Sequence, residues 1–337
     1  MPVGAGTGDL NPGDRNPGER RRLGAAAVAG AATLWALIGL FTRRLSAHGV
    51  GPADVAFWRA AGGGACFVVH LVVQRWLEQR RRGDGSRDPV PMTRAMRSWS
   101  RSTWTRLIVF CLLGVFVFYR ALPSAVVAGS IAMAYVLLYT APIWVVAAVA
   151  ISRRRIEGRV VALAAVTVAG AALVVLGVEG SGALRWAGVG WGLVAGASYA
   201  SYYLVGRPLF FDIGAIAAYA IALPVGALLL APFARFPHLD ASSRWSILGL
   251  VVISTWLPYV LLSVGLRYLQ PDRAVIVATL EPVVAAAIGW SLYGERIAWF
   301  GLCGGAMVIA AAVAANRGSA TDDTPGAHPA GHLVTGV

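Results

Sequence analysis

The chain has 337 residues, 57% of them hydrophobic and only 13% charged, whereas soluble domains carry roughly 25% charged residues; a water-soluble fold of this size is excluded and the apolar excess must face lipid. All 29 bases are Arg, which removes lysine Schiff bases, lysine general bases and Walker-type phosphate loops. The net charge of +13 sits mostly between apolar runs and on one side of them, so it reads as a topology signal and not as nucleic-acid binding.

A transmembrane helix needs about 20 mostly apolar residues. Ten such runs follow one another, at 24–42, 52–73, 107–126, 130–151, 160–178, 187–206, 213–234, 246–267, 273–293 and 298–315. The first is flanked by Arg20, Arg21 and Arg22 on one side and Arg43 and Arg44 on the other. With nine spans after it, it reads as a span and not as a cleaved signal peptide. The tails, residues 1–23 and 316–337, are too polar to fold alone and are expected to be disordered.

The basic linker 74–105 admits two readings. Arg94, Arg97 and Arg101 recur at helical spacing, with Met96, Trp99 and Trp104 able to reach lipid headgroups, which suits an interfacial helix. A disordered basic loop is the alternative.

With the N terminus in the cytoplasm, the inside segments collect 21 Arg and the outside loops six, leaving Arg59 and Arg120 within spans. Both termini are therefore expected in the cytoplasm, on a multi-pass protein of the inner (plasma) membrane.

Sliding the sequence on itself brings Tyr119 onto Tyr259, Ala134 onto Ala274 and Pro142 onto Pro282. Nearer the start of each half, Trp35 falls on Tyr199, Ala36 on Ala200 and Arg43 on Arg207. The linker accounts for the difference in offset. Two halves of five spans are implied, residues 24–178 and 187–315, and an odd span number makes the second half enter from the opposite face. The expected fold is an all-α integral membrane protein of ten transmembrane helices, arranged as two inverted five-helix repeats.

Glu281 lies about nine residues into the ninth span, roughly 13 Å along the helix, near the bilayer midplane. A carboxylate there costs at least about 2.5 kcal/mol. It must bind a proton, bind a cationic group or pair with a buried Arg, unless a hydrogen bond to a neighbouring helix gives it a packing role. Pro282 frees the carbonyl of Ala278 and is able to kink the helix. Arg59 and Arg120 either snorkel outward or point inward, where they would attract carboxylates or phosphates or neutralise Glu281. His70 is expected to be internally satisfied or headgroup-facing. Trp35, Tyr119, Tyr135, Tyr139, Trp144, Tyr199, Tyr202, Trp256 and Tyr259 have apolar bodies and polar tips suited to a cavity for a mixed-polarity solute, fewer than half of them being expected to line it.

Trp104, Trp186, Trp245 and Trp299 lie at span ends and read as interface anchors. Gly188, Gly192 and Gly196, and Gly301 with Gly305, form small-residue faces for helix packing within the bundle, a dimer interface being the alternative. Cys66, Cys111 and Cys303 sit singly in apolar runs, without disulfide or zinc spacing. No catalytic motif, cofactor motif or metal site is present in the sequence.

These residues resemble an EamA-type member of the drug/metabolite transporter superfamily. The first half carries Trp35-Ala36-Leu37-Ile38-Gly39 with Arg43, Phe57-Trp58-Arg59, and a Pro142-centred fourth span. The second half carries Leu280-Glu281-Pro282-Val283-Val284 and Leu292-Tyr293-Gly294-Glu295-Arg296-Ile297. Departures are Arg154-Arg155 in place of Gly294-Glu295 and Ala141 in place of Glu281, so any role of those acids falls to the second copy alone. The resemblance implies a secondary transporter that works by alternating access. Its solute would be a small organic metabolite, an amino acid, a related metabolite or a drug-like molecule, with export favoured over import. With no nucleotide motif, the driving force is the solute gradient or a coupled ion, and Glu281 makes the proton the first candidate. Expected partners are the solute, protons and membrane lipids, with no nucleic acid and no cofactor, in a monomer or homodimer. A membrane-embedded lipid or prenyl enzyme and a non-transporting sensor are the alternatives.

Overall fold

A computed structural model describes residues 16–82, 96–128, 131–153, 157–177, 186–293 and 298–317. Among these residues every regular element is helical. In the first half they are α1 (Pro17–Ala36), α2 (Ile38–Ala47), α3 (Pro52–Arg82), α4 (Arg101–Val109), a π-helical stretch (Phe110–Val117), α5 (Phe118–Ala128), α6 (Ile131–Leu138), α7 (Ala141–Arg153) and α8 (Gly158–Gly177). In the second half they are α9 (Trp186–Leu204), α10 (Gly206–Ile213), α11 (Ala215–Leu230), a 3-10 turn (Ala231–Phe233), α12 (Ala241–Val251), a π-helical stretch (Val252–Trp256), α13 (Leu257–Tyr268), α14 (Pro271–Ala278), α15 (Glu281–Tyr293) and α16 (Trp299–Arg317).

Five stretches among the described residues are long and apolar enough to cross a membrane: Gly18–Ala47, Pro52–Arg80, Arg101–Leu122, Ala215–Phe233 and Ala241–Tyr268. Other expected spans are divided by a backbone break. The fourth breaks at Tyr139–Thr140 and the ninth at Thr279–Leu280. Pro142 and Pro282 follow these breaks by two residues, and each lacks the N–H that would serve the carbonyl four residues back. At the breaks the Thr140 and Thr279 hydroxyls donate to Leu137 O (2.6 Å) and Val275 O (2.9 Å), carbonyls other than those the prolines free.

The two halves pack by exchange. α1 lies on α13 as α9 lies on α5; α3 meets its counterpart α11, and α8 meets its counterpart α16. Glycines allow these approaches: a Cβ on Gly196 of α9 would sit 2.6 Å from the Leu137 carbonyl oxygen, and one on Gly170 of α8 would sit 2.8 Å from that of Gly304 on α16. The glycine face of the sixth span is thus packed inside the bundle. Large apolar side chains such as Val69, Ile151, Leu228 and Leu302 remain exposed around the outside, where lipid would cover them.

Several boundaries differ from the sequence reading. The tail expected to run to residue 23 ends earlier: Asn16 accepts the Gly18 N–H and Pro17 starts α1 with an φ already suited to a helix. The parts 1–15 and 318–337 lie outside the described residues. In the linker, 83–95, with Arg94, is likewise outside them, and the remainder is not one continuous interfacial helix. Ser100 is extended (ψ 160) and its hydroxyl accepts the Thr103 N–H, which starts a new helix and separates Arg97 from Arg101. The signature residues Gly294 to Ile297, and Arg154 and Arg155, also fall outside the described residues.

At one end of the bundle Asp54 accepts the N–H groups of Arg235 and Phe236 (2.8 and 2.9 Å), holding Phe236 in the left-handed region (φ 51). At that end His48 also meets Asp240 at 3.6 Å. Asp212 at the end of α10 takes Arg106 Nη1 (2.7 Å) and the Thr103 hydroxyl (3.1 Å).

Candidate functional site

Tyrosines converge where the halves meet. Tyr119 follows the first π-helical stretch and Tyr259 the second, and their hydroxyls hydrogen-bond at 2.6 Å, although 140 residues separate them in sequence. Tyr202 of α9 adds a second bond to the Tyr259 hydroxyl at 2.9 Å. The Tyr203 hydroxyl donates to that of Tyr199 at 3.2 Å. Trp35 of α1 stands edge-on to Tyr199 and Tyr259, with ring centroids 6.2 and 5.7 Å away. Tyr219 of α11 stacks on Tyr259 at 4.8 Å, and its own hydroxyl is buried with no hydrogen-bond partner among the described residues. Of the nine aromatics that the sequence offers as cavity candidates, Trp35, Tyr119, Tyr199, Tyr202 and Tyr259 are buried here and joined in one chain of contacts.

Arg59 reaches this cluster from α3. Its Nε donates to Thr255 Oγ1 at 3.4 Å and its guanidinium lies 4.8 Å from the Tyr119 ring centroid. Thr255, in the second π-helical stretch, is fully buried, and its own hydroxyl donates to the Leu250 carbonyl at 2.8 Å. Glu281, the first residue of α15, is buried with the N-terminal dipole of that helix favouring its charge. It is in electrostatic reach of Arg59 and of Tyr135, Tyr139, Tyr199 and Tyr203. Among the described residues no ion pair joins Glu281 to Arg59. Tyr135 and Tyr139 pack together at 6.0 Å, and the Tyr139 hydroxyl is buried without a hydrogen-bond partner among the described residues. Pro142 and Pro282 are buried in the first turns after the two breaks.

Other expected residues lie elsewhere. Arg120, half-buried, stacks over Phe233 at 4.7 Å in the 3-10 turn after α11, a position reached by extending along the helix surface. Trp256 turns to α3, where its indole N–H donates to His70 Nδ1 at 3.3 Å. Trp144 is exposed and donates to Thr140 Oγ1 at 3.2 Å. The sequence reading missed Tyr203, Tyr219, Phe118 and Thr255. Tyr203 carried a signal, since it lies four residues after Tyr199 on one helix face; Thr255 carried none, because its repeat counterpart is Val115.

A family model described as the EamA-like transporter family matches this chain twice, over residues 22–176 and 186–317. An uncharacterized transporter of Archaeoglobus fulgidus is 30% identical over 221 residues, covering 63% of this chain and 75% of the relative. The threonine/homoserine exporter RhtA of Salmonella typhimurium is 31% identical over 136 residues, 39% of this chain and 44% of that protein. Its Escherichia coli namesake is 30% identical over 131 residues, 38% of this chain and 43% of that protein. A crystal structure shares the fold with a TM-score of 0.68 at 16% identity, covering 87% of this chain and 96% of the other.

Proposed function

The chain belongs to the EamA-like transporter family, an integral membrane transporter family and not an enzyme family, and from that premise we propose that it exports a small organic solute by alternating access between two inverted five-helix repeats. The repeats are residues 24–178 and 187–315, and ten passes cross the inner membrane. The chain before α1 and after α16 faces the cytoplasm, as the Arg bias favours. An amino acid is the first solute class to test, since the named relatives are threonine/homoserine exporters. Lipid-enzyme and sensor readings have no support beside a transporter family.

The observation that carries the reading is the junction of Tyr119 with Tyr259. Equivalent residues of the two halves meet there in the buried centre, where a rocking motion of one half against the other would open or close a path. Around it stand aromatic bodies with polar tips and two buried charges of opposite sign. Of these, Glu281 is the group we assign to proton coupling: it is buried, lacks an ion pair among the described residues and has no counterpart in the first repeat, where Ala141 stands. The test is uptake and efflux of a solute panel in proteoliposomes at several imposed pH gradients. Accumulation of no panel solute under any gradient overturns the reading; accumulation indifferent to the pH gradient overturns proton coupling alone.

A further inference from the structure

Among the described residues Arg59 is a buried cation without an ion-pair partner. It is 9% exposed, and its one hydrogen bond to the described residues is the Nε donation to Thr255. Among those residues no carboxylate lies within the 4.0 Å of an ion pair. A charge taken out of water without a counter-ion carries a large desolvation penalty. The cation–π contact with Tyr119 offsets only part of it. A partner that arrives with the solute would offset the rest.

The surroundings suit a carboxylate. The terminal nitrogens of a guanidinium present a planar fork matched to two oxygens, and those of Arg59 make no hydrogen bond to the described residues. The hydroxyls of Tyr119, Tyr259 and Tyr202 form a linked row within its electrostatic reach, and the guanidinium lies over the Tyr119 ring at 4.8 Å. Charge sets the valence of the guest: a single guanidinium balances one carboxylate and not a dianionic phosphate, and the acid Glu281 within electrostatic reach disfavours any further negative charge. Thr255 fixes the aim of the fork. Its hydroxyl proton goes to Leu250 O, which leaves the oxygen lone pairs for Arg59 Nε. Two glycines show that this device exists in one copy: a Cβ at Gly63 would meet Thr255, and at Gly226 it would meet Val115, the apolar counterpart.

We infer that Arg59 with the hydroxyls of Tyr119, Tyr202 and Tyr259 forms a subsite for the carboxylate of the transported solute, and that Thr255 is its positioning residue. The inference rests on the reading of the chain as a small-solute carrier.

Thermal unfolding of the purified full chain in detergent tests it, because a ligand that binds the folded state raises the midpoint. The probes are L-threonine, L-threoninol, propionate and inorganic phosphate. L-Threonine and propionate should raise the midpoint, and threoninol, whose carboxylate is replaced by an alcohol, should need at least tenfold more for the same shift. Arg59→Gln should abolish the shifts and Arg59→Lys should keep part of them. Thr255→Val should weaken them several-fold where Thr255→Ser does not, and this pair decides the matter if Arg59→Gln fails to fold. A propionate shift that depends on Arg59, without a threonine shift, upholds the subsite and overturns the amino-acid reading. Equal shifts by threonine and threoninol, a shift surviving Arg59→Gln, a response to phosphate alone, or no response to either carboxylate overturns the subsite.

Discussion

Tyr119 and Tyr259 occupy the same place in their respective repeats, and their hydroxyls touch each other at 2.6 Å. A contact between equivalent residues occurs only beside the axis that relates the two halves, so this hydrogen bond marks the centre of the internal symmetry. The symmetry stops at the next neighbour: Tyr259 also bonds Tyr202 and stacks on Tyr219, whereas Tyr119 lies beneath Arg59.

Removing either hydroxyl therefore has unequal effects. Tyr259→Phe strands the hydroxyls of both Tyr119 and Tyr202, whereas Tyr119→Phe strands none, because Tyr259 keeps its bond to Tyr202. Leaving a buried group unsatisfied costs about 1–3 kcal/mol, so Tyr259→Phe should be the more destabilising by at least that amount. The double variant should cost less than the sum, as a shared bond is lost only once. Denaturant unfolding of the four proteins checks this. Additive costs would mean that the two hydroxyls are not coupled.

The glycines of α9 give a prediction with opposite signs on one helix. At Gly196 a Cβ meets fixed backbone, the Leu137 carbonyl oxygen, at 2.6 Å, while at Gly190 nothing lies within 4 Å. Gly196→Ala should destabilise by about 1–3 kcal/mol through overpacking. Gly190→Ala should stabilise by up to about 1 kcal/mol through helix propensity. Midpoints of thermal unfolding read both, and a stabilising Gly196→Ala would contradict the close packing of α9 on the α6–α7 break.

What was legible in the sequence follows from the solvent. Lipid forces long apolar runs and drives Arg to their ends, so the all-helical membrane fold and the two-fold repeat could be read in advance, whereas which of the nine candidate aromatics meet could not. Helix rotation could not, because a segment apolar on all sides has no hydrophobic face to orient it. For that reason Trp256 and Arg120 stand away from the tyrosines while Tyr219 joins them. The π-helical stretches leave no periodic mark in residues that are apolar throughout, and Thr255 was hidden with them. The break after Ala36 was equally silent, since neither Leu37 nor Ile38 is a helix breaker.

Two helix starts outside the apolar spans differ in their response to acid. Asp240 accepts the Ser243 N–H at 2.8 Å, and Ser100 accepts the Thr103 N–H at 3.1 Å. Hydrogen bonds from the Ser243 hydroxyl and N–H, with His48 nearby, hold the Asp240 carboxyl below its usual value. Its contribution is complete above the ordinary carboxylate value of about 3.9 and is lost as pH falls through the lowered folded value. Amide exchange at Ser243, referenced to Thr103, should lose protection in that acid window, and Asp240→Asn should remove the pH dependence. A wild-type ratio flat across the window would show that the carboxylate does not cap α12.

Glu281 offers the most direct test of coupling. It opens α15 immediately after the Thr279–Leu280 break, is buried beside Tyr135, Tyr139, Tyr199 and Tyr203, and has no ion pair among the described residues. A proton carrier must gain its proton from one face and release it to the other, whereas a packing residue need only keep its shape and hydrogen bonds. Glu281→Gln keeps the shape and removes the titration. If Glu281 carries the proton, gradient-driven accumulation should fall to background in proteoliposomes while exchange of labelled for unlabelled solute, which needs no net proton movement, continues within a few-fold of wild type. Glu281→Ala, which also loses the volume, should reduce exchange as well. Accumulation by the Gln variant with unchanged pH dependence would remove Glu281 from the coupling step and leave it a structural role at the head of α15.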